Sequence, residues 1–185
     1  MASLQRGTNV ALTREIPTLT GVVLGARWDA GAEAVLDRNL VLAALLCDAQ
    51  SRALSEEHFV FFNQLASPDG AVAVGDLGGD QEQILIDLPG VPEQVQRIVV
   101  VLYVNDSPGQ RRTLAQLRSC VIRVLNRADG VELVRSEELA AALSSETALA
   151  LGEMYRHDGG WKFKVLGQGY AGGIAALAAD YGLSL

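Results

Sequence analysis

The oxygen-bearing side chains that could act together in this chain lie on one glycine-rich stretch. Asp69, Asp76, Asp80 and Glu82 fall between two apolar runs, Phe59-Val60-Phe61-Phe62 and Ile84-Leu85-Ile86-Asp87-Leu88, with Asn63 at the entrance. A hard cation such as calcium is held by carboxylates and carbonyls that a bent backbone brings to one point, and Gly70, Gly75, Gly78 and Gly79 allow that bend. The spacing is not that of an EF-hand loop, which alternates acidic residues before a glycine and closes on a glutamate. Asp and Gly also fill strand-to-strand turns for conformational reasons alone, so an ordinary connecting loop is the competing reading.

No other constellation carries chemistry. Gly167-Gln168-Gly169-Tyr170-Ala171-Gly172 fits the dinucleotide pattern G-x-G-x-x-G, but the few residues after Gly172 leave no room for the second strand and its ribose-binding acid. A tight turn that lets the last helix pack closely is the expectation there. There is no G-x-S-x-G elbow and no Walker A run. His58 and His157 do not share a metal-ligand spacing. Arg111-Arg112 is a short basic pair on an expected solvated helix face. Nothing assembles a nucleophile, a base and an orienting acid, so an enzyme is not expected.

The elements that must position the acidic stretch read as short strands. Asn9 to Thr13, Thr20 to Trp28, Phe59 to Asn63, Ile84 to Leu88 and Val121 to Leu125 are strand candidates. Ile98 to Val104 is the clearest, a continuous β-branched run that implies cover on both faces. Asn39 to Cys47 is apolar throughout, and periodicity does not separate strand from helix there. Thr147 to Tyr155 and Trp161 to Leu166 flank an Arg156-to-Gly160 turn as a hairpin, and Asn126 to Gly130 turns another. Helical stretches are expected at Glu93 to Arg97, after Ser107-Pro108 through Val121, at Ser136 to Leu139, and at Tyr170 to Tyr181 before Gly182. The whole is mainly β: a two-sheet β-sandwich with a few short peripheral helices and a C-terminal helix, forming one domain over residues 1–185.

Composition sets the outer limits. A chain of 185 residues suits a single core, and 49% apolar with 20% charged residues is ordinary for a globular protein. The net charge of −7 argues against a nucleic-acid surface and favours a cation or a basic partner. The longest apolar runs are far too short for a membrane span, and the first residues lack a secretory core, so the cytoplasm is the expected location. Cys47 and Cys120 lie in apolar surroundings and read as buried free thiols.

Several stretches together resemble the TerD family of tellurium-resistance and general stress proteins. Leu4 to Thr13 looks like its opening strand, and Trp28-Asp29 like its Gly-Trp-Asp element. Phe59 to Asn63, Ser67-Pro68-Asp69-Gly70, Gly75-Asp76 and Gly79-Asp80-Gln81-Glu82 match its central strand and acidic loop. The C-terminal third is the most specific: Glu146-Thr147-Ala148, Gly152 to His157, Trp161-Lys162-Phe163, Gly167-Gln168-Gly169-Tyr170 and Asp180-Tyr181-Gly182. The resemblance covers nearly the whole chain. It implies a β-sandwich, calcium at acidic loops, a role in tellurite or oxidative stress alongside other stress-response proteins, and no enzymatic activity.

The chain also departs from that family's pattern. Typical members carry Asp-Leu-Asp before the Ala-rich strand, where this chain has Leu36-Asp37-Arg38-Asn39. Their acidic loop is longer than the short step here from Gly75-Asp76-Leu77 to Gly78-Gly79-Asp80. The calcium ligands carried over are therefore Asp37, Asn63, Asp76, Asp80 and Glu82, a set short of the six to eight oxygens calcium takes. Weak calcium binding is one expectation. The alternative is a metal-independent protein-interaction module of the same fold, in which Arg38 replaces the cation by bridging Asp76 or Asp80.

Overall fold

The computed structural model describes residues 3–105 and 112–185. In chain order the elements are β1 (Ser3–Leu4), β2 (Asn9–Val10), α1 (Leu12–Glu15), β3 (Gly21–Asp29), α2 (Ala34–Arg38), β4 (Leu40–Cys47), β5 (Phe59–Val60), β6 (Val72–Gly75), β7 (Glu82–Asp87), β8 (Arg97–Val104), β9 (Ser119–Asn126), β10 (Glu132–Ser136), β11 (Ala148–His157), β12 (Gly160–Tyr170) and α3 (Gly173–Asp180). They build two six-stranded sheets. The first has the order β1-β10-β9-β3-β7-β6 and the second β2-β12-β11-β8-β4-β5. This is the expected mainly-β sandwich with peripheral helices and a helix near the C-terminus.

The two sheets enclose the main core between them. Val22, Leu24, Ala26 and Trp28 of β3 and Cys120, Ile122 and Val124 of β9 meet Leu40, Leu42, Ala44 and Leu46 of β4 and Ile98, Val100 and Leu102 of β8. The period-2 alternation of a strand leaves the intervening residues on the outer faces, and the two sheets treat them differently. On the second sheet Val41, Ala43, Leu45, Val99, Val101 and Tyr103 form another apolar cluster with Leu177, Ala178 and Leu183 of the C-terminal segment. β4 and β8 are thus covered on both sides, which explains their unbroken apolar runs and settles Leu40–Cys47 as a strand. On the outer face of the first sheet the apolar row Val23, Leu85 and Leu125 gives way to polar side chains, Arg27 of β3, Gln83 of β7 and Arg123 of β9. There the acidic loop folds.

Several local expectations change. The strand expected over Asn9 to Thr13 stops at Val10, and Leu12–Glu15 is helical, with Leu12 drawn into the core. Phe59 to Asn63 supplies only two strand residues; Phe61 and Gln64 then close a tight turn on each other with Phe62-Asn63 at its tip. β6, inside the acidic stretch, was not anticipated. The helical spacing through Val121 yields only a short 3-10 turn at Leu114–Gln116 before β9 begins at Ser119; Leu114 and Leu117 are buried as anchors rather than as one helix face. Ser107-Pro108 and Arg111 lie outside the described residues. Ser136 ends β10, and the helical turn falls at Ala140–Ala142 instead. Glu93 to Arg97 is a turn leading into β8. Gly167 and Gly169 lie within β12, beside the register shift opposite Ala150 and Gly152, rather than in a tight turn; the backbone bends in a bulge there.

Candidate functional site

Asp80 is the centre of the acidic loop, and its side chain has no solvent exposure. The loop after β6 turns back at Gly78 and Gly79, both at positive φ, and lays Asp80 over β3 at Gly25. A Cβ at Gly25 would overlap the Asp80 carboxylate, so the absence of a side chain there opens the seat. Asp80 Oδ1 accepts from Arg123 Nε at 2.6 Å and from Arg27 Nε at 3.1 Å. Oδ2 accepts from Arg123 Nη2 at 3.1 Å and from Gln83 Nε2 at 2.7 Å. Arg123 grips the carboxylate with a two-pronged fork, the strongest common form of such a contact. Arg27 Nε also donates to the Gly79 carbonyl at 2.7 Å, which ties the turn itself to the sheet.

The strand register explains why these groups converge. Gly25 pairs with Arg123 on one side and Gln83 on the other. Neighbours of Arg123 on its own strand, Ile122 and Val124, point into the core, so Arg123 points out. The network continues along the same face: Arg123 Nη1 reaches Glu132 Oε1 at 3.3 Å, and Arg135 Nη2 reaches the same oxygen at 2.7 Å. Hydrogen bonding to Asp80 holds the Arg123 guanidinium more firmly protonated than usual. Arg135, and then Arg123, hold the Glu132 carboxyl below the usual carboxylate range.

The other four candidate ligands do not join Asp80. Glu82 pairs with Ala26, a core-facing residue, so it projects from the opposite side of the sheet from Gln83. Its Oε2 accepts from the Leu42 backbone N–H at 2.7 Å, at the end of β4 that β5 does not reach. Burial pushes the Glu82 carboxyl up, with the Leu42 N–H acting against that. Asp37 accepts from the Trp28 indole N–H at 2.7 Å. Asp76 is exposed and accepts from the Gly78 N–H at 3.1 Å, a local turn bond. Asn63 is exposed at the tip of the Phe61–Gln64 turn. Asp69, within the same stretch, binds Ser67 Oγ and the Ala71 N–H in its own turn.

A calcium ion therefore does not fit at Asp80. An ionised carboxylate offers about four lone-pair sites, and four donors already point at them. Three of those donors belong to the guanidinium groups of Arg27 and Arg123, whose charge repels a cation. Among the described residues no group of three or more His, Cys, Asp or Glu side chains is placed to hold a metal. Guanidinium groups do meet the Asp80 carboxylate, but Arg38 is not one of them. Arg38 sits at the end of α2 and forms no ion pair among the described residues, while Arg27 and Arg123 reach Asp80 from the sheet below. Neither arginine was singled out from sequence. The usable signals were a glycine inside the β3 run and an arginine at the centre of the otherwise apolar Val121-Ile122-Arg123-Val124-Leu125.

The histidines hold local positions. His58 Nδ1 lies 2.7 Å from Ser55 Oγ, and His157 Nε2 lies 3.2 Å from Asp158 Oδ2 with both side chains exposed. No helix among the described residues is long and apolar enough to cross a membrane.

The whole chain has relatives of known name. The TerD domain model matches residues 1–181. The chain is 36% identical to tellurium resistance protein TerD of Serratia marcescens, over 98% of this chain and 97% of that protein. It is also 36% identical to general stress protein 16U of Bacillus subtilis (strain 168), over 99% of this chain and 98% of the relative. A crystal structure of a TerD homologue from Streptomyces coelicolor A3(2) shares the fold at a TM-score of 0.67 and 20% identity, covering 90% of this chain and 99% of that one. With its β-sandwich and a domain match running almost from end to end, this chain belongs to the TerD family.

Proposed function

We propose that this TerD-family chain serves a stress response of the tellurium-resistance kind as a calcium-independent interaction module, acting by binding other stress-response proteins and catalysing no reaction. The observation that supports this reading is the Asp80 carboxylate, whose lone pairs are all taken by Arg27, Arg123 and Gln83. In such an arrangement the positive charge that closes the acidic loop belongs to the chain and needs no ion from solution. Exposed Phe62, Leu65 and Leu77, on the segments either side of β6, are apolar side chains available to a protein partner. Two buried free thiols suit a reducing compartment, and we place the protein in the cytoplasm.

The competing reading is a weakened calcium site built from Asp37, Asn63, Asp76, Asp80 and Glu82. Calorimetric titration of chelator-treated protein, paired with thermal melts with and without calcium, separates the two. The interaction-module reading expects no saturable heat and no change in Tm. Micromolar binding together with a raised Tm overturns it.

A further inference from the structure

A second site lies at the far end of the β11–β12 hairpin from α3. A cleft of about 460 Å³ opens there between α1 and the hairpin tip, lined by Thr13, Arg14, Pro17, His157, Trp161 and Lys162 among others. That volume lies within the range of small-molecule sites, roughly 300–1,000 Å³. Its walls are fixed by local structure. Leu12 anchors α1 in the core, and the Trp161 backbone N–H donates to Thr13 Oγ1 at 2.8 Å. The Asp158-Gly159 tip takes positive φ at both residues, the two-residue turn that matches strand twist, and so sets His157 opposite Gly160. The Arg156 guanidinium stacks 4.4 Å from the Trp161 ring and donates to the Val91, Pro92 and Val95 carbonyls, which holds the indole in place.

The charge at this cleft opposes that of the molecule. The chain carries a net −7, yet Arg14, Lys162 and His157 face one cavity against a single lining acid, Asp158. Asp158 is almost fully exposed and contacts only His157 among these. Arg14 and Lys162 form no ion pair among the described residues, unlike Arg27 and Arg123 on the first sheet. Unneutralised cations beside an apolar wall of Trp161 and Pro17 raise the local concentration of anions.

We propose that this cleft binds a small oxyanion of the phosphate class, free or carried on a compact organic body, with Arg14 and Lys162 as the principal charge contacts. The inference is independent of the calcium question, since none of its residues touches the acidic loop. The test is a two-dimensional NMR titration of the full chain with inorganic phosphate and, separately, with phenyl phosphate. Saturable shifts are expected at the amides of Arg14, Gly159 and Lys162 and at the Trp161 indole. Similar affinity for both probes identifies a free oxyanion as the ligand type; tighter phenyl phosphate identifies an organic phosphate resting on Trp161. The double variant R14Q/K162Q should weaken binding at least about tenfold, the loss expected for removing charged hydrogen-bond partners. K164Q, on the same strand but outside the cleft, should leave it unchanged. Arg14 is exposed and Lys162 half-buried, so these variants keep the core, and a matching melt for each confirms it. An absence of saturable shifts, or equal weakening by K164Q, overturns the proposal.

Discussion

Asp80 shows how one buried charge is made tolerable. Removing a carboxylate from water costs several kcal/mol, and that cost is met only by close, well-directed partners. Arg123 is the main one, with 11% of its side chain exposed; Arg27 is 40% exposed and its contribution is screened by solvent. The two arginines should therefore differ in weight. Arg123→Gln is expected to lower stability by about 3 kcal/mol or more, because it strands Asp80 in a buried position. Arg27→Gln should lower it by less than about 1 kcal/mol. Urea unfolding of the two variants measures both values. Equal, small losses would mean that the carboxylate is better hydrated than its burial indicates.

At the scale of the element, Glu82 completes a sheet that the chain leaves unfinished. β5 pairs with β4 only at Ala44 and Leu45, and the Glu82 carboxylate takes the Leu42 N–H beyond that point. The arrangement carries a pH signature. Burial raises the Glu82 value above the ordinary 4.5, so the folded state holds this proton more tightly than the unfolded chain does. Its contribution to stability is full below the unfolded value and is lost as pH rises through the folded one. Glu82→Gln keeps an acceptor for Leu42 and removes the charge. The variant should melt higher than the parent at neutral pH, with the difference vanishing below about pH 4.5. Glu132 has the opposite sign: its value is lowered by Arg135 and Arg123, so its contribution is present above the unfolded value and lost as pH falls through the folded one. Thermal melts of parent, Glu82→Gln and Glu132→Gln across acid and neutral pH check both signs. A parent and Glu82→Gln curve of identical shape would remove burial as the cause.

At the scale of the molecule, the sandwich has two outer faces with different work. One is sealed by the C-terminal helix over β4, β8 and β11; the other is held by arginines and acids beneath the acidic loop. Both cysteines lie inside this body, and burial pushes each thiol up to about 12. The native protein is therefore expected to resist thiol-specific reagents at neutral pH and to label at both positions only on unfolding, because the thiolate is the reactive form. Mass spectrometry after alkylation, with and without denaturant, reads this directly. Rapid labelling of native protein at Cys120 would show that the first sheet opens far more readily than its packing implies.

The sandwich was legible in the residues themselves: β-branched runs, turn glycines and the hairpin around Asp158-Gly159 specify strands through short-range sterics. The apolar run at Leu40–Cys47 was not, since strand and helix bury such a run equally well. Only the facing sheet and the covering C-terminal helix decided it. The site divided in the same way. Composition placed Asp80 and Glu82 on one loop, but residues so close in sequence can still be parted by a sheet. The register that sends Gln83 outward and Glu82 inward put the two acids on opposite faces, and brought to Asp80 two arginines from strands that sequence distance gave no reason to join.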